Sequence, residues 1–475
     1  MRKYIPTRSR RFVTGSVLVT VALAAVFGDQ ATSAAGADQT VGSASTIPPT
    51  FPKPSWLTDL SLGVKESYDD NIFAIGNNSL AAYTVPAGSI AALPNRSSWE
   101  TTVSPKVGVN FAKLLGDQNT LEALSLSYAP DFVAYHSEPW ENYDAQRFTA
   151  AVKGKADHLS FNLEDTVTYL DGSDYGSTYL FNADGQPILN AWSAVAALSR
   201  VKQLQNAGKF SVQYDGDNFF IRPMAYVAMQ DPKTKLLNPA VTGVALYEDY
   251  PERYDANGGV DLGYKAATNL ALTLGYRYGH QYQQQMPWAS GVDTSSSCDY
   301  QRVLLGVEGK PVKWLTVSAQ GGPDFRSYVD TAAVNDFHPV KYYGEASIAA
   351  QPTANDTFSL KYRQMEWLSL LGVKPYFDSR YELNYHRNLW GANTWSLDLG
   401  GRVWDADYKG ASVDNLRDDM LITPSAKVTW APTEHLSLNL GYLANLGRNL
   451  QKGVTDPETR CYNQNVVSLG AQYKF

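Results

Sequence analysis

The six histidines are the side chains in this sequence best suited to transfer protons or bind a metal near neutral pH. They are His136, His158, His280, His338, His386 and His435. None begins an HExxH motif, no GxSxG sequence supplies an activated serine, and no two have metal-ligand spacing. Only His280 and His386 lie within predicted strands and are worth testing for catalysis. The sequence therefore predicts no enzyme, no cofactor and no metal site, and a barrel hydrolase is the least favoured function.

Charged side chains form a second candidate set, because many of them alternate with apolar residues along the chain. If the Leu and aromatic positions face lipid, the opposite positions line a lumen. The candidate lining residues are Lys106, Arg222, Lys265, Arg277, Arg302, Lys361, Arg363, Arg402, Glu308, Glu345, Glu382 and Asp398. Basic residues predominate, which predicts a mild preference for anionic or neutral polar solutes. Pairing of these charges between neighbouring strands would remove most of that preference.

A strict alternation of apolar and polar residues defines the elements that hold these side chains. In LSLNLGYL, Leu436, Leu438 and Leu440 lie on one face, and Ser437 and Asn439 lie on the other. The same period of two recurs in TWSLDLGGRV and LALTLGYRYG, and it indicates β-strands with one apolar and one polar face. After residue 37, no segment has the roughly 18 continuous apolar residues of a membrane-spanning helix.

The connections between strands are of two kinds. Short ones rich in Gly, Asn, Asp and Pro, such as DGDN (215–218) and WGAN (390–393), are typical of hairpin turns. Long polar ones, such as 171–196 and 232–251, alternate with them. This asymmetry is typical of an outer-membrane barrel with short periplasmic turns and long extracellular loops. The sequence therefore predicts an all-β, transmembrane antiparallel β-barrel of about 18 strands (16–20), with both chain ends on the periplasmic side.

The tryptophans fit such a barrel, because many lie at predicted strand ends. Trp314, Trp390, Trp395 and Trp430 lie beside short turns, and Trp140, Trp288, Trp367 and Trp404 lie near long loops. Aromatic residues form girdles at both membrane interfaces of outer-membrane barrels. We therefore expect two girdles of tryptophan, one at each end of the barrel.

The chain ends in the alternating strand VVSLGAQYKF, whose last residue is Phe475. In a closed barrel this strand pairs with the first one, so no unpaired backbone edge remains in lipid. A terminal aromatic residue after alternating apolar residues resembles the signature that the outer-membrane assembly machinery recognises. The last strand is therefore the predicted contact with that machinery.

The N-terminus resembles an export signal. MRKYIPTRSRRF is basic, Val13–Phe27 is an apolar stretch of the right length, and small residues suited to cleavage follow near 35–37. We assign 1–37 to a signal peptide for the general secretory route, 38–56 to a flexible Ser/Thr/Pro-rich leader, and 57–475 to the barrel. The remaining chain is acidic, so nucleic-acid binding is not expected.

The stretch ESYDDNIFAI, near the start of the predicted barrel, resembles the opening segment of a known family. Residues 68–73 match the outer-membrane proteins called β-barrel porin 2, and the layout of 57–475 is similar to theirs. The resemblance implies a porin-like barrel, in a family of which some members accompany exopolysaccharide or exosortase systems. Taken alone, Asp69, Asp70 and Asn71 could equally form a turn or bulge where the first strand leaves the membrane.

The predicted function is a porin-like channel for passive diffusion of small hydrophilic solutes across the cell outer membrane. The alternative is a non-conducting structural or accessory barrel linked to polysaccharide export. A TonB-dependent transporter is not expected, because it needs a large N-terminal plug and only the 38–56 leader precedes the first strand. Expected partners are outer-membrane lipid, lipopolysaccharide, the assembly machinery and small polar solutes, and a homo-oligomer is compatible with this set.

Three features stay open on the sequence alone. The long segment 171–195 either folds into the lumen or packs outside it. Cys298 and Cys461 form either one disulfide or two free thiols. Asp165 falls among the apolar positions of FNLEDTVTYL, which suggests that the alternation slips by one residue within this strand.

Overall fold

The fold was analysed in a computed structural model. It describes residues 54–72, 74, 97–115, 120–172, 200–233, 251–287, 293–329, 340–368, 375–391, 394–408, 417–450 and 461–475. The predicted signal peptide, nearly all of the leader and most of segment 171–195 lie outside these residues. Within them, no helix has the length and apolar character needed to cross a membrane.

Long antiparallel strands make up nearly all of the described chain, as the alternating sequence predicts. Their bounds are β1 (Leu57–Asp69), β2 (Ser98–Asn110), β3 (Leu121–Tyr128), β4 (Asp131–Tyr135), β5 (Tyr143–Ala156), β6 (Leu159–Asp171), β7 (Gln203–Asp215), β8 (Phe219–Pro232), β9 (Arg253–Ala267), β10 (Leu270–Gln283), β11 (Met286–Pro287), β12 (Asp293–Thr294), β13 (Cys298–Val312), β14 (Leu315–Tyr328), β15 (Val340–Ala350), β16 (Asp356–Trp367), β17 (Tyr376–Asn388), β18 (Trp395–Tyr408), β19 (Arg417–Trp430), β20 (Leu436–Asn449) and β21 (Tyr462–Lys474). One helical turn, Ala112–Leu115, follows β2.

The sheet closes into a barrel because β1 pairs with β2 on one side and with β21 on the other. Strands β3 and β4 share one position in the wall, since both pair with β2 and β5. The 19 strands that the described residues contribute to the sheet therefore fill 18 positions. Strands β11 and β12 pair only with each other, outside the wall. The predicted all-β class, antiparallel barrel and count of 18 are confirmed.

The two rims of the barrel differ as the sequence predicted. Short turns such as those between β9 and β10 and between β13 and β14 lie at one rim, and the long connections lie at the other. Both ends of the described chain lie at the short-turn rim, where the Phe475 N–H donates to the Leu60 carbonyl at 2.9 Å. In outer-membrane barrels the short-turn rim is the periplasmic one.

At the extracellular rim, the seam between β1 and β21 is held by the Asp-Asp-Asn stretch at the end of β1. Asp69 Oδ2 accepts a bond from Gln464 Nε2 at 2.6 Å, and the Asn71 side-chain amide donates to the Asn463 carbonyl at 2.8 Å. Asp70 accepts two bonds from Asn465, one from its backbone N–H and one from its side-chain amide, both at 2.7 Å. The motif is thus a turn that ends β1 and joins it to the last strand.

The outer surface of the wall is apolar. Its exposed side chains include Leu60, Leu163, Leu262, Leu274, Leu305, Leu383, Leu440 and Leu469. Residues of this kind, exposed in a continuous belt around the protein, are stable only against hydrocarbon. At the periplasmic rim Trp314, Trp390 and Trp430 are exposed, as a girdle requires.

The expected extracellular girdle is wrong for Trp367 and Trp404, while Trp288 and the side chain of Trp140 lie outside what the structure describes. Trp367 is only 2% exposed and packs inside the barrel with Met365 and Tyr376. Trp404 lies on the inward face of β18, where its indole N–H donates to Asp378 at 2.8 Å. The local sequence indicates that a tryptophan is near a strand end, but the parity of the strand decides which side it faces.

The expected slip around Asp165 is also wrong. The pairing of β6 with β5 and with β7 runs without a bulge from one end of the strand to the other. Asp165 therefore lies on the outward face, between the outward residues Leu163 and Val167. The alternation is intact, and a carboxylate occupies an apolar position.

We predict that Asp70→Ala weakens the seam. The substitution removes two hydrogen bonds to a charged acceptor, and such bonds contribute about 1.5–3 kcal/mol each when they are shielded from water. Unfolding by urea in liposomes should require less denaturant, and the folded band on an unboiled gel should be lost at lower temperature. Glu434→Ala, at an exposed periplasmic turn, should leave both readouts unchanged, and equal behaviour of the two variants would refute this account of the seam.

We also predict that Leu274→Arg is far more damaging than Thr273→Arg. Leu274 is outward and 47% exposed, whereas its neighbour Thr273 is on the inward face. An arginine in mid-membrane contact with lipid costs about 2–4 kcal/mol, and one in an aqueous lumen costs little. Equilibrium unfolding in liposomes measures the difference, and comparable losses for both variants would contradict a lipid-facing belt.

Candidate functional site in the barrel interior

The inner face of the wall is defined by contacts between strands that are not neighbours. Arg222 on β8 contacts Glu308 on β13 at 2.8 Å, although β9 and β10 lie between them in the wall. Strand parity from these residues places all the lining candidates on the inward face. They are Lys106, Arg222, Lys265, Arg277, Arg302, Lys361, Arg363, Arg402, Glu308, Glu345, Glu382 and Asp398.

Opposite charges on this face lie next to one another. Arg222 contacts Asp261 at 3.1 Å as well as Glu308, and Asp261 also contacts Arg277 at 2.7 Å. These four side chains come from four strands, β8, β9, β10 and β13. Because each charge has an opposite neighbour, the field that this group exerts on a solute is small.

The other charged candidates are distributed around the wall in the same way. Lys106 pairs with Asp59 at 2.6 Å, Lys265 with Asp215 at 3.4 Å, and Arg402 with Glu382 at 3.9 Å. Asp398 contacts both His386 and Lys427, and Glu345 accepts a bond from the Tyr343 hydroxyl. In the strand register, Lys361 lies opposite Glu382 and Arg363 lies opposite Glu345. The arrangement weakens the expected preference for anions.

A second group of charges, which the sequence prediction mostly missed, lies towards the extracellular mouth. We call Arg302, Asp324, Arg326, Lys341 and Glu366 the mouth cluster. Asp324 Oδ2 lies 3.0 Å from Arg302 Nε and 2.9 Å from Arg326 Nη2. Glu366 contacts Lys341 at 3.3 Å and Arg326 at 3.6 Å. Of these five residues, only Arg302 was among the predicted lining residues. The alternation in QGGPDFRSY, with Phe325 facing outward, already indicates that Asp324 and Arg326 face inward.

Glu366 reaches the mouth cluster because the extracellular end of β16 leaves the wall. Its pairing with β15 stops at Gly344 and Gln364, while its pairing with β17 continues to Trp367 and Tyr376. The two strand ends therefore bend inward together. Their bulky side chains form an apolar group inside the barrel, in which Trp367 and Tyr376 pack with Met365 and Ala406.

Residues 366–368 then reach the inner wall several strands away. The Glu366 carbonyl accepts bonds from Arg326 on β14 at 3.0 Å and from Gln281 on β10 at 3.3 Å. The Leu368 carbonyl accepts a bond from Arg253 on β9, whose guanidinium also lies 5.4 Å from the centre of the Trp367 ring. Polar side chains of the wall thus hold an inward segment across part of the mouth.

Exposure divides the interior into two parts. Near the periplasmic rim, Lys106, Lys153 and Lys427 are 45%, 60% and 51% exposed. At the mouth, the Asp324 and Arg326 side chains are fully buried. The interior is therefore a polar vestibule that is accessible from the periplasmic side and is filled by side chains beneath the mouth on the side of β9–β16.

The histidines within the described residues lie apart from one another. His386 contacts Asp398 at 2.7 Å inside the barrel, and His280 contacts Asp299 at 2.8 Å on its outer surface. His136 lies beside Thr101 and Glu66, also on the outer surface, while His338 lies outside the described residues. Among the residues described, no three His, Cys, Asp or Glu side chains are grouped to hold a metal ion.

Cys298 and Cys461 are not joined by a disulfide. Cys298 is buried beside Arg326, and Cys461 directly precedes β21. Segment 171–195, the loop considered as a constriction, lies almost wholly outside the described residues. The segment that lies across part of the mouth in the described residues is instead the end of β16.

An outer surface of leucine and aromatic residues around an interior of paired charges is the reverse of a water-soluble protein. The protein is an outer-membrane β-barrel. No protein-family model and no curated protein matches the chain.

Solved outer-membrane receptors resemble the chain weakly. The ferric enterobactin receptor PfeA of Pseudomonas aeruginosa aligns with 89% of this chain and 81% of its own, at a TM-score of 0.41 and 8% identity. The siderophore receptor PirA of Acinetobacter baumannii aligns with 88% of this chain and 81% of its own, at a TM-score of 0.39 and 8% identity. The alcaligin receptor FauA of Bordetella pertussis aligns with 88% of this chain and 76% of its own, at a TM-score of 0.36 and 8% identity. Similarities of this size carry no argument about the solute.

We predict that Asp324→Asn strongly destabilises the protein. Asp324 is the carboxylate that Arg302 and Arg326 share, and removing one member of a fully buried ion pair costs about 3–5 kcal/mol. Asp59→Asn is the matched control, because the Asp59–Lys106 pair is exposed to water in the vestibule and such pairs contribute at most about 1 kcal/mol. Urea unfolding in liposomes measures both, and similar losses would show that the mouth cluster is not electrostatically coupled.

Proposed function

We propose that the protein is a porin-like channel for small hydrophilic solutes, with its narrowest part at the inward end of β16. The observation that carries the proposal is the polar, ion-paired inner wall, which is exposed to water in the periplasmic half. A barrel with 18 strand positions is wide enough to hold an aqueous lumen once side chains have filled part of it. The resemblance of the opening segment to β-barrel porin 2 proteins is consistent with this role.

The solutes that fit this interior are small and polar, of either charge. The charged lining candidates lie beside opposite charges, so transfer of an ion past them is neither strongly favoured nor strongly opposed. The role is passive and non-enzymatic, with no cofactor. Lipid and lipopolysaccharide would surround the belt, and the assembly machinery would bind β21 with its terminal Phe475.

Planar-bilayer recording of the purified protein tests the proposal, and Arg253→Ala is the decisive variant. Arg253 binds the Leu368 carbonyl, so its loss should loosen the inward segment beyond Glu366 and increase the single-channel conductance. Arg387→Ala is the matched control, because Arg387 is exposed near the periplasmic turn, where it pairs with Asp356 and lies far from the inward segment. Swelling of liposomes in sugars of graded size should show a larger size limit for Arg253→Ala alone. Unchanged conductance and size limit would remove residues 366–368 as the constriction.

A non-conducting accessory barrel is the second candidate, and the full burial of Asp324 and Arg326 in the mouth cluster favours it. If the inward segment closes the lumen permanently, the wild-type protein will show no stepwise openings. Arg253→Ala then separates the two cases. A silent wild type that stays silent on this substitution supports the accessory role, and stepwise openings of the wild type support the channel.

A further inference from the structure

Asp165 is a carboxylate in the middle of the lipid-facing belt. It is the seventh of the thirteen residues of β6 and lies four residues from each of the outward aromatic residues Phe161 and Tyr169. The register on both sides of β6 is continuous, so no bulge turns the side chain inward. An ionisable group at this depth has no water or headgroup to solvate it, and groups of this kind in membranes have partners.

Asn206 on β7 forms a hydrogen bond with only one of the two oxygens of this carboxylate. Its side-chain amide donates to Asp165 Oδ1 at 2.7 Å. The same amide nitrogen has a longer contact, 3.3 Å, with the Thr166 carbonyl. Within the described part of the chain Asp165 Oδ2 has no hydrogen-bond partner. The pair therefore offers one free acceptor and one weakly engaged N–H on the outer surface.

The residues directly opposite Asp165 on the two neighbouring strands are small. In the strand register, Asp165 lies between Ala150 on β5 and Gly208 on β7. Two strands further along the wall, Ala225 on β8 lies opposite Gly258 on β9, and both face outward. The outward residues on β10 and β13 are bulky by contrast. They are Leu272, Leu274, Tyr276, Tyr278, Val303 and Leu305.

We propose that this surface, the Asp165 face, is where a second copy of the chain binds in the membrane. The Asp165 face comprises Ala150, Asp165, Asn206, Gly208, Ala225 and Gly258. Two copies related by a twofold axis along the membrane normal place their polar pairs at the same depth. Each Asn206 amide then donates to the Asp165 carboxylate of the other copy, which makes the interface self-complementary.

Because the Asp165 face lies in the membrane, the protein that binds it must be another barrel. A hydrocarbon-embedded surface is reached only by lipid or by a protein whose own backbone is fully paired, and lipid tails have no donor for Asp165 Oδ2. Small residues on the Asp165 face let two walls approach closely, which is the usual basis of packing in membranes. A second copy supplies both the donor and the matching depth.

Gly258→Leu tests the proposal without disturbing the fold of one chain. A Cβ added at Gly258 meets no atom closer than the Met224 carbonyl oxygen at 3.7 Å, so the new side chain projects outward into free space. Asp165→Leu is the second variant, because it replaces the carboxylate by an ordinary lipid-facing residue. Native mass spectrometry of the full protein, released from membranes in mild detergent, should show twice the mass of one chain for the wild type. Both variants should weaken the dimer at least about tenfold.

Gly401→Leu is the matched control. Gly401 also faces outward, a Cβ there meets no atom within 4 Å, and the residue lies on β18, far around the wall from β6. This variant should remain a dimer. In intact membranes with Cys461→Ser, Ala150→Cys should cross-link two chains, and Ala346→Cys, on the outward face of β15, should not.

Several results would overturn the proposal. A wild type that is monomeric both in native mass spectra and by cross-linking excludes a second copy. Loss of the dimer in Gly401→Leu as well would show that a different surface is used. A cross-linked product whose mass differs from two chains would show that another protein covers the Asp165 face. Heat-modifiable migration on gels establishes that each variant is folded before these results are compared.

Discussion

The structure depends on one constraint: in hydrocarbon no backbone N–H or C=O can be left unpaired. The first and last strands must therefore meet. At the periplasmic rim Phe475 bonds to Leu60, and at the extracellular rim Asp69, Asp70 and Asn71 bond to the start of β21. The terminal aromatic strand and the Asp-Asp-Asn turn, which are about 400 residues apart in sequence, thus serve one seam.

Closure divides the side chains into two environments with opposite requirements. Outward positions gain free energy from apolar residues, and inward positions hold charges only where an opposite charge or a hydrogen bond is near. The Arg222, Asp261, Arg277 and Glu308 group and the mouth cluster both follow this rule. They differ in their exposed members. Arg222 and Glu308 in the first group are 24% and 30% exposed, whereas Asp324 and Arg326 in the mouth cluster are fully buried near the inward end of β16.

The functional features are departures from the regular barrel. Strand β16 leaves its neighbour β15 after Gln364, and the side chains of Arg253, Gln281 and Arg326 bind the carbonyls this exposes. Asp165 is a second departure, because its carboxylate occupies an outward position in the apolar belt. Each departure leaves polar groups that the regular wall cannot satisfy, and those groups then bind something else: the inward segment in one case and, as we propose, a second chain in the other.

The sequence by itself determined the fold class, the strand count, the two kinds of rim and the inward parity of residues such as Lys106 and Asp398. All of these follow from a period-two pattern that each strand carries within its own few residues. Only the tertiary structure decided that Trp367 lies inside the barrel, that Glu366 meets Arg326, and that Asp165 is outward without a slip. These depend on contacts between distant strands across the closed wall, where long side chains meet only after closure. No local sequence pattern predicts which of these side chains contact each other, because the curvature of the whole barrel decides it.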